Sequence, residues 1–171
     1  MRELRYYGDP ILRKPASSVE IFDEELQGFA EELIQCMYEY DGVGLAAPQI
    51  GVSKQMAAID VWGGEKPPLV LVNPRITWSS PELISSTEGC LSIPDISGPV
   101  ERAEYISVSA KTPDGADVFF ERAERLFSQA LQHEIDHLRG VLFVDHIRGT
   151  KKALIRNKLR KMARSTQKSL K

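Results

Sequence analysis

The stretch Gln132-His133-Glu134-Ile135-Asp136-His137-Leu138 decides how this chain is read. It contains His-Glu-x-x-His. On an α-helix, residues i and i+4 lie on one face a single turn apart, so His133 and His137 can hold one metal ion between them. Glu134 falls beside that ion, where a carboxylate can take a proton from metal-bound water. Two histidines are half of a metal site, and the rest of the chain has to supply what completes it.

The pattern around the motif predicts a helix over residues 123–139, with Gly140 beyond its end. On a helical wheel Arg125, Ser128, Gln129, Gln132, Asp136 and Arg139 gather on one side. Phe127, Leu131, Ile135 and Leu138 occupy much of the remainder, so the helix is expected to be mostly buried. Leu126, Ala130, His133 and His137 share a third stripe, which suits a metal at the floor of an apolar pocket.

A catalytic first-row metal takes three protein ligands and keeps an open position for water. The extended metalloprotease pattern continues through Gly140, but Phe143 stands where its third histidine would be. His146 lies out of that register, and no Glu follows Glu134. The best remaining ligand is Cys90, upstream in Glu88-Gly89-Cys90-Leu91-Ser92. A metal would hold it as the thiolate. Without the histidine pair the same cysteine would read as a core thiol.

The chain has 171 residues and an ordinary globular composition, enough for one domain with a sizeable core. The net charge of −2 hides an asymmetry: none of the 24 acids, but ten of the 22 Lys and Arg, lie from Arg148 onward. An acidic body thus precedes a basic arm. Two cysteines do not make a secreted disulfide framework, and there is neither a signal-peptide pattern nor an apolar run of membrane-spanning length. A cytoplasmic protein with reduced thiols is expected.

Residues 6–20 read as irregular, punctuated by Asp9-Pro10 and Lys14-Pro15. Asp23 can cap a helix whose stripe is Leu26, Phe29, Ala30, Leu33, Ile34 and Met37, ending near Tyr40. Cys36 sits off the stripe centre as an inert thiol. Gly42-Val43-Gly44-Leu45-Ala46-Ala47-Pro48-Gln49 is either a helix-to-strand connection or a cleft wall offering backbone groups and the Gln49 amide. Strands are expected at 55–61 and 69–72, the second stopped by Asn73-Pro74, and residues 76–86 are left open. Residues 105–111 and 117–121 read as a hairpin around Thr112-Pro113-Asp114-Gly115. A short strand is expected at 141–144. From Thr150 a basic helix with a narrow stripe of Leu154, Ile155, Leu159 and Met162 follows, and residues 165–171 are expected to fray. Its charges are either a solvated face or an RNA or ribosome contact.

The three stretches at 42–49, 88–92 and 132–138, in this order and at these separations, resemble the three signature motifs of the peptide deformylase family. The resemblance runs from Tyr6 to about His146. It implies an α+β fold, with a central metal-binding helix surrounded by antiparallel β-sheets and flanked by an N-terminal and a C-terminal helix. Residues 1–147 would form one catalytic domain. Residues 148–171 would form a basic C-terminal helix, part of the same domain or in contact with the ribosome. The implied activity is hydrolytic removal of the formyl group from N-formylmethionine on nascent polypeptides.

By motif position, Cys90, His133 and His137 would hold one divalent metal, Fe2+ in nature, with Zn2+, Ni2+ or Co2+ possible in preparations. Glu134 would be general base and acid. The Gln49 side chain and the Leu91 backbone N–H would stabilise the oxyanion. Val43, Gly44, Gly89, Leu126 and Ala130 would bind substrate, with Glu88 and Arg102 as supporting groups. A monomer is expected. Two positions depart from the family pattern: Ser97 lies where bacterial relatives often carry Arg, and Gln129 where they often carry an apolar residue. Two other readings of the motif remain, a zincin-type endopeptidase and a closed four-ligand metal module recruiting His146.

Overall fold

The computed structural model describes residues 2–170. Helix α1 (Glu24–Glu39) begins where the Asp23 carboxylate accepts the Leu26 N–H at 3.0 Å, with Glu24 and Glu25 in the first turn. Its stripe buries Leu26, Phe29, Ala30, Leu33 and Met37, and Cys36 with them as a free thiol. The stripe packs on two short strands, β1 (Gly44–Ala46) and β2 (Met56–Ile59).

Those strands continue into β3 (Leu69–Ser79), β6 (Ile106–Lys111) and β7 (Asp117–Ala123). Together they form an antiparallel sheet in the order β1-β2-β3-β6-β7. The β6–β7 turn has Gly115 at φ +90°, and the Gly115 N–H donates to the Thr112 carbonyl at 2.9 Å. Strand β3 does not stop at Asn73-Pro74. Its register with β6 shifts between Val72 and Arg75, and Asn73 adopts φ +51°. Proline is tolerated at such a bulge because no ladder N–H is required there. The Asn73 side chain also ties down the entry segment, accepting from the Val19 N–H at 2.9 Å and donating to its carbonyl at 2.8 Å. Residues left open by sequence form the end of β3 and the start of β4 (Leu83–Cys90). Strand β4 pairs with β5 (Ile93–Ala103) in a separate two-stranded sheet, with Cys90 opposite Ile93 near the turn.

Helix α2 (Arg125–Leu138) lies against β1, β2 and β5. It is shorter than predicted at the start because Ala123 still pairs with Ile106. At its end Gly140 takes φ +75°, and a Cβ there would come within 2.6 Å of the Arg13 carbonyl oxygen. The polar side of the wheel is not a solvated face throughout. Ser128 and Gln132 are buried, and the Gln132 amide donates to the Ala103 carbonyl at 2.9 Å.

Of the strand expected at 141–144, Val141 and Leu142 lie in no regular element, and Phe143 and Val144 open a short helix, α3 (Phe143–His146). Asp145 bends the chain back on itself: its carboxylate accepts the Leu142 N–H at 2.9 Å, and its N–H donates to the Leu142 carbonyl at 2.9 Å. Arg13 holds the same carboxylate with two bonds, of 2.6 and 3.1 Å. Helix α4 (Gly149–Ser169) then runs further than expected, its last turns intact through Ser169, while Lys171 lies outside the described residues. Ile155, Leu159 and Met162 join a cluster with Ile93, Ile96 and Phe143, which Cys90 also touches. Leu154, predicted in that stripe, points away and is 69% exposed. No helix among the described residues is long and apolar enough to cross a membrane. The fold is α+β.

Candidate active site and metal centre

Helix α2 and the end of β4 converge on one point. The ligand atoms of Cys90, His133 and His137 all lie within 4.8 Å of one another. The Cys90 Sγ is 3.2 Å from His137 Nε2. One soft sulfur and two imidazoles suit zinc, iron, cobalt or nickel rather than magnesium or calcium. His146 is not in this group, since its Nε2 is engaged 2.8 Å from an Asp136 oxygen.

A chain of largely buried bonds holds the His133 imidazole in place. His133 Nδ1 is 3.0 Å from a Glu88 oxygen. Arg102, on β5, donates to the other Glu88 oxygen at 2.5 Å, to that first oxygen at 2.9 Å, and to Asp136 of α2 at 2.8 Å. One guanidinium therefore joins the strand that carries Cys90 to the helix that carries both histidines. Such outer partners orient metal ligands. Burial would raise Glu88, but hydrogen bonds from Arg102 and His133 hold it down to about 2. Burial would lower His133. Hydrogen bonds with Cys90 and Glu88, and the charge of Glu134, push it up to about 10 instead. Burial, reinforced by the charge of His133, holds His137 well below the ordinary range, so it presents a neutral lone pair.

Glu134 is 4% exposed, and its Oε2 has no partner among the described residues. Burial pushes it up to about 7, with His133 and Arg102 pulling the other way. A carboxyl near the operating pH is suited to move a proton in either direction. The carboxylate lies against β1, and a Cβ on Gly44 would collide with it. Glycine at this position is therefore required by close approach rather than by an unusual backbone angle.

The cavity above these groups has a volume of about 450 Å3. Val43, Gly44, Gln49, Gly89, Cys90, Leu91, Leu126, Ala130, His133 and Glu134 all line it, so every predicted site residue is brought to one place except the deeper His137. Gln49 is 1% exposed and fixed at both ends of its amide: Oε1 accepts the Ala46 N–H at 2.8 Å, and Nε2 donates to Ser92 Oγ at 3.2 Å. The same Nε2 points at Cys90 Sγ, 3.5 Å away. Sequence reasoning did not single out Ser92 or the tie from Asp136 to His146. Ser92 stood inside the second motif without a role, and the Asp136 link is visible only in three dimensions.

A family model described as polypeptide deformylase matches residues 1–153. The chain belongs to that family. It is 43% identical over 167 residues to the peptide deformylase of Thermotoga maritima, with 98% of this chain and 99% of the relative covered. It is 44% identical over 167 residues to that of Acidobacterium capsulatum, with 96% and 97% covered. Among solved structures, the Legionella pneumophila peptide deformylase superposes with a TM-score of 0.87 at 42% identity, covering 98% of each chain. The Arabidopsis thaliana peptide deformylase 1B reaches 0.91 at 35% identity, with 98% of this chain and 93% of that one covered. The deformylase resemblance carried by the three motifs therefore extends over the whole fold, and the chain is an enzyme of this family.

Proposed function

We propose that this enzyme hydrolyses the N-formyl group of N-formylmethionyl nascent polypeptides, releasing formate, with Cys90, His133 and His137 holding one divalent metal ion. The observation that carries the reading is the convergence of these three ligands and the buried Glu134 on one wall of an apolar cavity. Fe2+ is the ion proposed in the cell, acting in a cytoplasmic monomer. When bound, the ion supplies Lewis acidity toward the formyl carbonyl and toward water.

Glu134 takes a proton from the attacking water and later delivers it to the departing amine. Charge that grows on the formyl oxygen meets two donors, the Gln49 amide and the Leu91 N–H. The bond from Gln49 Oε1 to the Ala46 backbone fixes the direction of that amide before substrate arrives. Val43, Gly44 and Gly89 offer backbone to the peptide, while Leu126 and Ala130 wall the methionine side chain. The engagement of His146 with Asp136 argues against a closed four-ligand module, and Phe143, buried in the core, against an extended-motif endopeptidase.

Glu134→Ala tests the reading. Formate release from a formyl-Met peptide should fall by about 10²–10⁴-fold at unchanged metal content. Unchanged turnover with metal retained would remove Glu134 from its role. The basic face of α4, including Lys151, Lys152 and Lys158, is proposed to meet the ribosome. Replacing those three with Glu should weaken ribosome binding and flatten its salt dependence. Equal affinity at all salt concentrations would reduce α4 to a packing element.

A further inference from the structure

We infer that Gln129 sets the side-chain specificity of the cavity and opens it to side chains that end in a strong hydrogen-bond acceptor, methionine sulfoxide foremost. The inference rests on the deformylase reading of the site. Helix α2 brings Leu126, Gln129, Ala130 and His133 to the cavity together, because positions i, i+3, i+4 and i+7 share a face. Val43 and Leu91 line the same cavity.

The polar groups of this lining divide into engaged and unengaged. The Gln49 amide is bonded at both ends. Glu88 is held by Arg102 and His133. Glu134 faces the reacting end under the mechanism above. Asp41, Thr87 and Gln129 are unengaged, and of these Gln129 alone stands on α2 beside Leu126 and Ala130: it is half-buried, and its amide makes no hydrogen bond to any described residue, unlike its neighbour Gln132.

A free amide beside apolar walls holds water. A thioether that displaces this water returns only a weak acceptor. A sulfoxide returns a strong one, since its oxygen accepts from the amide N–H. In an all-apolar pocket the sulfoxide oxygen would be stripped of water without compensation, and the site would reject it. The Gln129 amide removes part of that penalty. It narrows the gap between the two side chains from both directions. The reaction remains formyl hydrolysis: the sulfoxide arrives already oxidised and leaves unchanged.

The test uses the metal-loaded protein with Q129L and Q129M. Three formyl peptides of one sequence begin with methionine, methionine sulfoxide or norleucine. Loss of the amide should lower the sulfoxide-to-methionine ratio of kcat/KM by about 5- to 10-fold, the scale of one net hydrogen bond. The norleucine-to-methionine ratio should stay put, which a general loosening of the pocket would not allow. Two variants are used so that misfolding of one leaves the other to decide. If the sulfoxide ratio stays within about twofold in a folded variant while formyl-Met is still cleaved, the inference fails and the deformylase reading stands. If the unmodified protein releases no formate from the formyl-Met peptide, the reading fails and takes the inference with it.

Discussion

Helix α2 buries eight of its 14 residues, and Ser128, Gln132, Glu134 and His137 are among them; α4 buries one of 21, Ile155. Both helices are rich in polar residues, but they treat them differently. In α2 a polar side chain has a named protein partner. Gln132 bonds to the Ala103 carbonyl, His133 to Glu88, and Asp136 to both Arg102 and His146. Among atoms shut off from water, Glu134 Oε2 and His137 Nδ1 are the exceptions, and both sit at the proposed reaction centre; the half-buried Gln129 amide at the cavity is also unbonded. In α4 the polar side chains are hydrated. The difference teaches where substitution should hurt: an unpaired group costs far more in a dry interior than at a wet surface.

Arg102→Met should produce the largest effect of this kind. It leaves Glu88 and Asp136 without their shared cation, and both carboxylates lie at least mostly buried. Breaking one side of a buried pair costs roughly 3–5 kcal/mol, readable in urea unfolding of the metal-loaded protein. Metal affinity should fall about 10–100-fold as well, because the strand that carries Cys90 keeps only the Glu88–His133 bond as its side-chain tie to the histidine helix besides the ligands themselves. Arg102→Lys, with charge but no planar fork, should recover only part of either loss. If Arg102→Met unfolded at the same urea concentration as the unaltered protein, the buried network would be no more demanding than the surface of α4.

The acid limb of stability sharpens the same point. Glu88 is held at about 2 in the folded protein against 4.5 as its ordinary value. A depressed folded value means that the stabilisation is fully present above about pH 4.5 and is lost as pH falls toward 2. The span corresponds to roughly 3 kcal/mol. Glu88→Gln should therefore be less stable than the unaltered protein at neutral pH, and the two should draw together between about pH 4.5 and 2. Parallel curves through that window would show that Glu88 titrates alike in the folded and unfolded chain.

Legibility in the sequence followed the same division. The i, i+4 histidines and the stripe Leu126, Ala130 and His133 are local to one helix, so periodicity alone placed them on one face. The Cys90 loop was reached by counting which ligands remained and by its likeness to a motif. Asn73-Pro74 misled, because proline marks a strand end except at a bulge, and a bulge is made by the partner strand. Residues 141–144 misled because four apolar residues carry no period, and the cap from Asp145 and the grip of Arg13 decide their conformation. Ser128 and Gln132 read as a polar face, and only the Ala103 carbonyl arriving from β5 makes them interior. Arg102 is 34 residues from Asp136, and His146 is 10 residues away on a different helix, so nothing in local pattern joins them.

The smallest predicted effects belong to α4, where two adjacent apolar residues separate the alternatives. Ile155 is 5% exposed and packs with Ile93, Ile96 and Phe143; Leu154 is 69% exposed. Ile155→Ala removes methyl groups from a packed cluster and should cost about 2 kcal/mol in urea unfolding. Leu154→Gln alters only hydrated surface and should stay within about 0.5 kcal/mol. Cys90 touches the Ile155 cluster, so Ile155→Ala also asks whether α4 braces the metal loop. If the cluster seats Cys90, the variant should lose metal faster to a chelator than Leu154→Gln does, at a temperature where both remain folded. Equal loss rates would confine the influence of α4 to stability and leave the metal loop positioned by Arg102 and Gln49 alone.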